Sequence, residues 1–165
     1  MKLNDIAWNF SNKYYIDPKE FNKDVFEYQE RVFDGDNNWD PEEIVFDIPE
    51  LQIEYMSWFS GPDDLLRNEF LTEEYQNIFE EEEPDENGYP TYQAEIIAIL
   101  KARNGKYFTA LEFLLQVHNQ QANKDLNDYS FFEGIDLKNP KTINGLPTYY
   151  VSAGCYDPED DDEEM

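Results

Sequence analysis

The sequence predicts an α+β fold: one domain over residues 1–156, with about three helices on a small, mostly antiparallel sheet, and a disordered acidic tail over 157–165. Three observations carry this. Capped helix starts stand at Asp17 and Thr109, and strand-like apolar runs lie apart from them at roughly 44–57, 94–102, 129–137 and 148–153. The last nine residues hold seven acids and no apolar side chain before Met165. With 165 residues, 40% hydrophobic and 16% aromatic, the chain is large and apolar enough to bury a real core.

The elements follow in order. Asp17 as N-cap and Pro18 in the first turn open a helix whose stripe is Phe21, Val25, Tyr28 and Val32, and Asp34-Gly35 ends it. Residues 36–41 read as a turn. Two alternating runs, Ile44/Phe46/Ile48 and Leu51/Ile53/Tyr55, predict a strand pair broken at Pro49, although Leu51, Tyr55 and Trp58 also fit a helical stripe. Gly61-Pro62-Asp63-Asp64 predicts a further helix, with Leu66, Phe70, Tyr75, Ile78 and Phe79 as its apolar face. Residues 80–90, rich in acids with Pro and Gly, read as a solvated loop.

AEIIAILKA, residues 94–102, predicts a central strand. Thr109 and Glu112 form a capping box with Phe108 and Phe113 as its staple, so a helix is expected to about Lys124. The competing hairpin turn at Asn104-Gly105 has one dipeptide in its favour against two helix signals. YSFFEGIDL and PTYYVSA then predict a final antiparallel pair across the loop KNPKTINGL. No internal repeat of 20 to 50 residues is present.

The net charge of −26 is regional. Residues 1–33 carry −1, residues 34–86 carry −18 with Arg67 as the single base, residues 87–156 are neutral, and the tail adds −7. An acidic middle between neutral flanks suggests a field aimed at a basic partner. Direct nucleic-acid binding and anionic membranes are disfavoured, since both need clustered Lys and Arg. The first fifteen residues lack a signal-type apolar core and no run of about 18 apolar residues occurs, so the expected location is cytoplasmic. Cys155 is the single cysteine, which leaves no intrachain disulfide and no Cys-based zinc site.

Motifs of chemistry are sparse. There is no phosphate-binding glycine loop, and His118, the single histidine, reads as structural or surface because no nucleophile is placed beside it. Among 38 acids, some pair always falls at a hydrolase-like separation, so pairing alone says nothing. Asp34, Asp36, Asn38 and Asp40 have the every-other-residue spacing of a calcium loop, but Trp39 stands where that loop needs Gly and Val45 where it needs Glu.

The same segment reads better as a partner-binding surface: Trp39 and Trp58 among Asp34, Asp36, Asp40, Glu42, Glu43, Glu50, Glu54, Asp63 and Asp64. The alternative is that both Trp are core and the acids a solvated face. The acid strings Glu80–Glu83 and Asp157–Glu164 are solubilising, or mimic a phosphate backbone. The expectation is a non-catalytic inhibitor or immunity-type protein that neutralises a basic partner, a toxin nuclease or nucleic-acid-binding protein. No cofactor, metal or catalytic residue is implied. An adaptor with apolar contacts is the alternative, and a carboxylate- or divalent-ion-dependent hydrolase the third reading.

Overall fold

The computed structural model describes residues 3–81, 92–139 and 145–160. It is α+β, with three α-helices and two sheets among the described residues. In chain order these are α1 (Pro18–Val32), β1 (Ile44–Phe46), β2 (Glu50–Phe59), β3 (Glu69–Leu71), α2 (Ile78–Glu81), β4 (Tyr92–Lys101), β5 (Phe108–Thr109), α3 (Ala110–Gln121), β6 (Phe131–Asn139) and β7 (Thr148–Gly154). The main sheet has the order β3-β4-β2-β7-β6, and β1 pairs with β5 in a small second sheet. Every pairing is antiparallel except β2 with β7.

The local helix signals act where they stand. The Asp17 side chain accepts from Lys19 N–H at 2.9 Å, and Asp34 and Gly35 leave α1 at φ 53 and 88. Thr109 accepts from Glu112 N–H at 3.1 Å, a cap worth about 1 kcal/mol. The Glu112 carboxylate, instead of returning to the cap, accepts from Arg103 N–H at 2.6 Å.

Period-2 alternation sorts the sheet into two faces. Leu51, Ile53, Tyr55 and Phe59 of β2 stand opposite Leu100, Ala98, Ile96 and Tyr92 of β4, all in the core with Phe113, Leu114 and Val117 of α3. The other face carries Gln52, Glu54, Met56 and Trp58 beside Gln93, Glu95, Ile97 and Ile99. Residues 8–10 run along β6, with Phe132 N–H donating to Trp8 O at 2.8 Å and Phe10 N–H to Ser130 O at 2.7 Å. Gly134 permits this approach: at φ +122 it faces Asn4, whose Oδ1 would lie 2.6 Å from any Cβ there.

Three expectations are corrected. Residues 44–48 and 51–55 do not pair with each other; β1 joins β5 while β2 takes β4 and β7, because Pro49 sends the two runs to separate sheets. Residues 51–59 are strand as the alternation predicts, and the helical alternative is not taken. The helix expected from Gly61 is replaced by 3-10 turns at Pro62–Asp64 and Glu73–Tyr75, strand β3 and the four-residue α2. β4 lies one strand in from the edge, and β2 holds the centre.

One buried ion pair explains the lost helix. Lys124 Nζ donates to Glu69 Oε1 at 2.9 Å with neither side chain exposed. Glu69 also accepts from the Tyr55 hydroxyl, from Gln120 Nε2 at 2.9 Å and from Leu66 N–H at 2.8 Å. Asn68 brackets the same strand, exchanging bonds with Ile99 O and Ile99 N–H at 2.9 and 3.0 Å. A helical 65–72 would take Glu69 off this site. α3 accordingly stops at Gln121, three residues short of the expected Lys124, which turns inward instead.

The first residues of the expected tail are ordered. Pro158–Asp160 form a 3-10 turn and Arg31 Nε donates to Glu159 Oε1 at 3.0 Å, because Arg31 is the base in the last turn of α1. Residues 161–165, most of the loop expected at 80–90 and part of that at 138–146 lie outside the described residues.

Removing one member of the buried pair leaves an uncompensated charge. Lys124→Met is therefore expected to lower the unfolding free energy by about 3–5 kcal/mol, read from the midpoint of urea unfolding. A loss below about 1 kcal/mol contradicts the assigned role.

Candidate functional site

The acidic segment folds back on the helix that precedes it. Asn37 Nδ2 donates to Phe26 O at 3.2 Å, and its Oδ1 accepts from Trp39 N–H at 2.8 Å. The Trp39 indole N–H then reaches Asn22 Oδ1 at 2.7 Å. These bonds strap residues 36–40 alongside α1, running from its C-terminus back toward Asn22. Trp39 is thus a buried strap, 8% exposed, and not a surface anchor. Its neighbours Phe26 and Phe33, two turns apart on α1, are 48% and 39% exposed.

Asp34, Asp36, Asp40 and Glu42 are exposed in the turn that follows α1, and among the described residues no ion pair holds any of them. The C-terminal end of a helix carries roughly half a negative charge of its own, so α1 adds to this field. Glu43 is half-buried, and its carbonyl accepts from Ala110 N–H at 2.8 Å.

The remaining expected site residues lie elsewhere. Glu50 starts β2 opposite Lys101, while Asp63 and Asp64 follow the far end of that ten-residue strand, about 30 Å away along its axis. Asp64 is used locally, accepting from Ser60 N–H at 2.8 Å. Glu54 is 4% exposed and paired with Lys138. Trp58 is half-buried, stacked on Tyr129 at 5.4 Å and 16°.

Glu54 belongs to a second cluster on the outer sheet face, which charge counting along the chain did not reveal. Lys138 also reaches Glu95 at 3.8 Å and lies 5.5 Å from the Tyr150 ring centre. Burial, then the hydrogen bond to Glu54 and its charge, raise the Glu95 carboxyl above the ordinary carboxylate range, with Lys138 opposing. Lys138 is itself raised, first by its bond to Glu54. One signal could have pointed here: Glu54 and Glu95 are acids in the interior of strand-like runs, flanked by Ile53 and Tyr55 and by Ala94 and Ile96.

Beside this cluster the sheet opens. The β2–β7 ladder covers Gln52–Thr148, Ile53–Tyr149 and Glu54–Tyr150 and then stops. The strands part around a cavity of about 320 Å³ lined by Tyr55, Met56, Trp58, Gln93, Gln121, Tyr129, Tyr150, Val151 and Ala153.

Among the described residues no triad or metal centre is built. His118 is fully buried: its Nδ1 accepts from the Trp8 indole N–H at 3.0 Å, and its Nε2 lies 2.7 Å from Lys13 O, which makes it a donor and the ring neutral. Cys155 is exposed, and with both ring nitrogens engaged the two residues do not form a nucleophile–base pair. Among the described residues no three His, Cys, Asp or Glu converge as metal ligands, residues 34–43 included. No helix of the described residues is long and apolar enough to cross a membrane. Comparison with protein-family models, with curated proteins and with solved structures gives no match to this chain.

Burial, ahead of a favourable bond to Lys13 O, lowers the His118 pKa below its ordinary 6.5. Above pH 6.5 neither folded nor unfolded chain binds this proton and the stability is fully present; below it the unfolded chain takes up a proton that the folded one refuses. Stability should therefore fall as pH drops from 6.5 toward the depressed folded pKa, and His118→Gln should flatten that slope in urea titrations. The difference between the two profiles separates His118 from Glu95, whose raised pKa tilts stability the other way. A slope unchanged by the substitution sinks the assignment.

Proposed function

We propose that the protein is a non-catalytic acidic inhibitor of the immunity type, which binds and neutralises a basic, nucleic-acid-handling protein such as a toxin nuclease. The observation that carries this reading is the end of α1. There Asp34, Asp36, Asp40 and Glu42 are exposed with no ion pair among the described residues, on a segment strapped to the helix that carries the exposed Phe26 and ends at the exposed Phe33. Aromatic rings ringed by unpaired charge supply contact energy at the centre and steering at the rim. A positive patch or groove is the electrostatic footprint of a nucleic-acid binder, and this surface is its complement. The four carboxylates then occupy positions that phosphates would otherwise take.

Phe26 and Phe33 replace Trp39 as the anchors. The Glu54, Trp58, Asp63 and Asp64 end of the sheet is a separate surface. The adaptor reading differs in its salt response, since apolar contacts persist where exposed charges are screened within a Debye length of about 8 Å at physiological ionic strength.

Three variants test the reading by capture of a basic protein from the source cell and by assay of that protein's nucleic-acid activity. Wild-type protein should capture and inhibit it at low salt and release it in about 1 M salt, where screening reaches about 3 Å. Charge reversal at Asp34, Asp36, Asp40, Glu42 and Glu43 should slow association by at least about tenfold, and Phe26→Ala with Phe33→Ala should speed dissociation by a similar factor. Deleting residues 157–165 should cost less than the five reversals. Equal effects, or binding indifferent to salt, reject the acidic end of α1 as the binding surface.

A further inference from the structure

We propose that the cavity where β2 and β7 part is a guanidinium pocket that takes an arginine side chain from an extended polypeptide segment. That the arginine comes from a protein rests on the basic-partner reading above; the pocket's chemistry does not.

The cavity, about 320 Å³, falls at the small end of the range for ligand pockets and suits one long side chain. Its walls are aromatic: Trp58 and Tyr129 stack at 5.4 Å, and Tyr150 stands across from them on β7. A planar guanidinium stacks on such rings, and Tyr150 already holds one cation, Lys138, 5.5 Å from its centre. The floor offers an acceptor. Gln121 is 4% exposed and its Nε2 donates to Val117 O at 3.3 Å, while its Oε1 takes no hydrogen bond from the described residues and stays open to the cavity. A guanidinium supplies five donors for such an acceptor.

Charge at the mouth has the matching sign. Met56 and Gln93 of the lining neighbour Glu95 across β2 and β4, and Glu54 precedes Met56 on the same face. Lys138 is the base beside Glu54 and Glu95, and Glu74 adds a third carboxylate that acts on Glu95. A second cation there would add to Lys138 in opposing the burial and the Glu54 charge that raise the Glu95 carboxyl.

The backbone favours a polypeptide. Gln52 N–H donates to Pro147 O and Trp58 O accepts from Asp125 N–H, so even-numbered residues of β2 turn their backbone groups away from β4. By alternation Met56 does the same, at a point where the ladder to β7 has ended. An extended segment laid there pairs with that edge while its arginine enters the pocket.

The test uses the full chain, nitrogen-15 labelled, and follows the indole N–H signals of Trp8, Trp39 and Trp58, with the last assigned by Trp58→Phe. N-acetyl-arginine amide should move the Trp58 signal saturably with Kd on the order of a millimolar, leaving the other two still. N-acetyl-lysine amide should bind at least about fivefold more weakly, and acetyl-Gly-Arg-Gly amide more tightly than the single residue. Gln121→Leu and the surface variant Tyr129→Ala should each weaken binding about tenfold while Trp8 and Trp39 keep their native positions. No saturable shift, equal binding of the lysine probe, or unchanged affinity in a folded Tyr129→Ala variant overturns the pocket. Tighter binding of free arginine than of the tripeptide overturns the polypeptide source. Charge reversal at Asp34 to Glu43 should leave this titration unchanged, so a failed partner capture with an intact titration rejects the proposed function alone.

Discussion

The fold turns on a lysine with no route to water. Lys124 is enclosed at the end of α3, and a buried ammonium is tolerated only beside an anion with further hydrogen bonds. Glu69 is that anion, and its position dictates much of the rest. It holds β3 to the sheet rather than in a helix, ties Tyr55 of the central strand to Gln120 of α3, and stops α3 at Gln121. With α3 stopped there, Asp125 N–H meets Trp58 O at 2.9 Å and the chain carries Tyr129 onto the Trp58 ring. The cleft between β2 and β7 is therefore a consequence of where Lys124 had to go.

This chain of constraints marks what the sequence could disclose. α1 and α3 were legible because Asp17, Pro18, Thr109 and Phe108 act on groups within five residues of themselves. Strand character at 51–59 and 92–101 was legible from period-2 alternation. Strand partners were not, since alternation says which face a residue occupies and nothing about its neighbour across the ladder. The helix expected after Gly61 failed for a related reason. Leu66 and Phe70 have helical spacing, but the ion pair that decides their conformation spans 55 residues.

The same distinction governs the candidate surfaces. Asp34 to Glu42 were visible as a charged run and do form one face, because their loop is strapped to the adjacent helix. Trp39 was misleading: a large aromatic among acids suggests an anchor, and only the contact with Asn22 shows that its indole is spent inside. Phe26 and Phe33 were absorbed into the reading of an amphipathic helix although they lie off its buried stripe. Glu54 and Lys138 are 84 residues apart, and Gln121 meets Trp58 and Tyr150 only through the tertiary fold. His118 is the converse case. A lone histidine reads as structural or surface, and it is buried, joining the N-terminal segment to α3 through Trp8 and Lys13 with Tyr15 5.0 Å from its ring.

Two surfaces of one sign invite a division of labour, and physics assigns it. On the proposed function, exposed carboxylates at the end of α1 act across solvent, where screening limits each to about 8 Å, and would raise the rate at which a basic protein arrives in the right orientation. They do little to hold it, because a rim charge in water contributes at most about 1 kcal/mol. A desolvated side chain between Trp58, Tyr129 and Tyr150, bonded to Gln121 Oε1, acts at contact distance and slows departure. Near-neutral flanks are what such a division needs. If the whole surface were acidic, a basic partner would be drawn equally to every side; on the proposed reading the exposed Asp34, Asp36, Asp40 and Glu42 give it one end of α1 to approach.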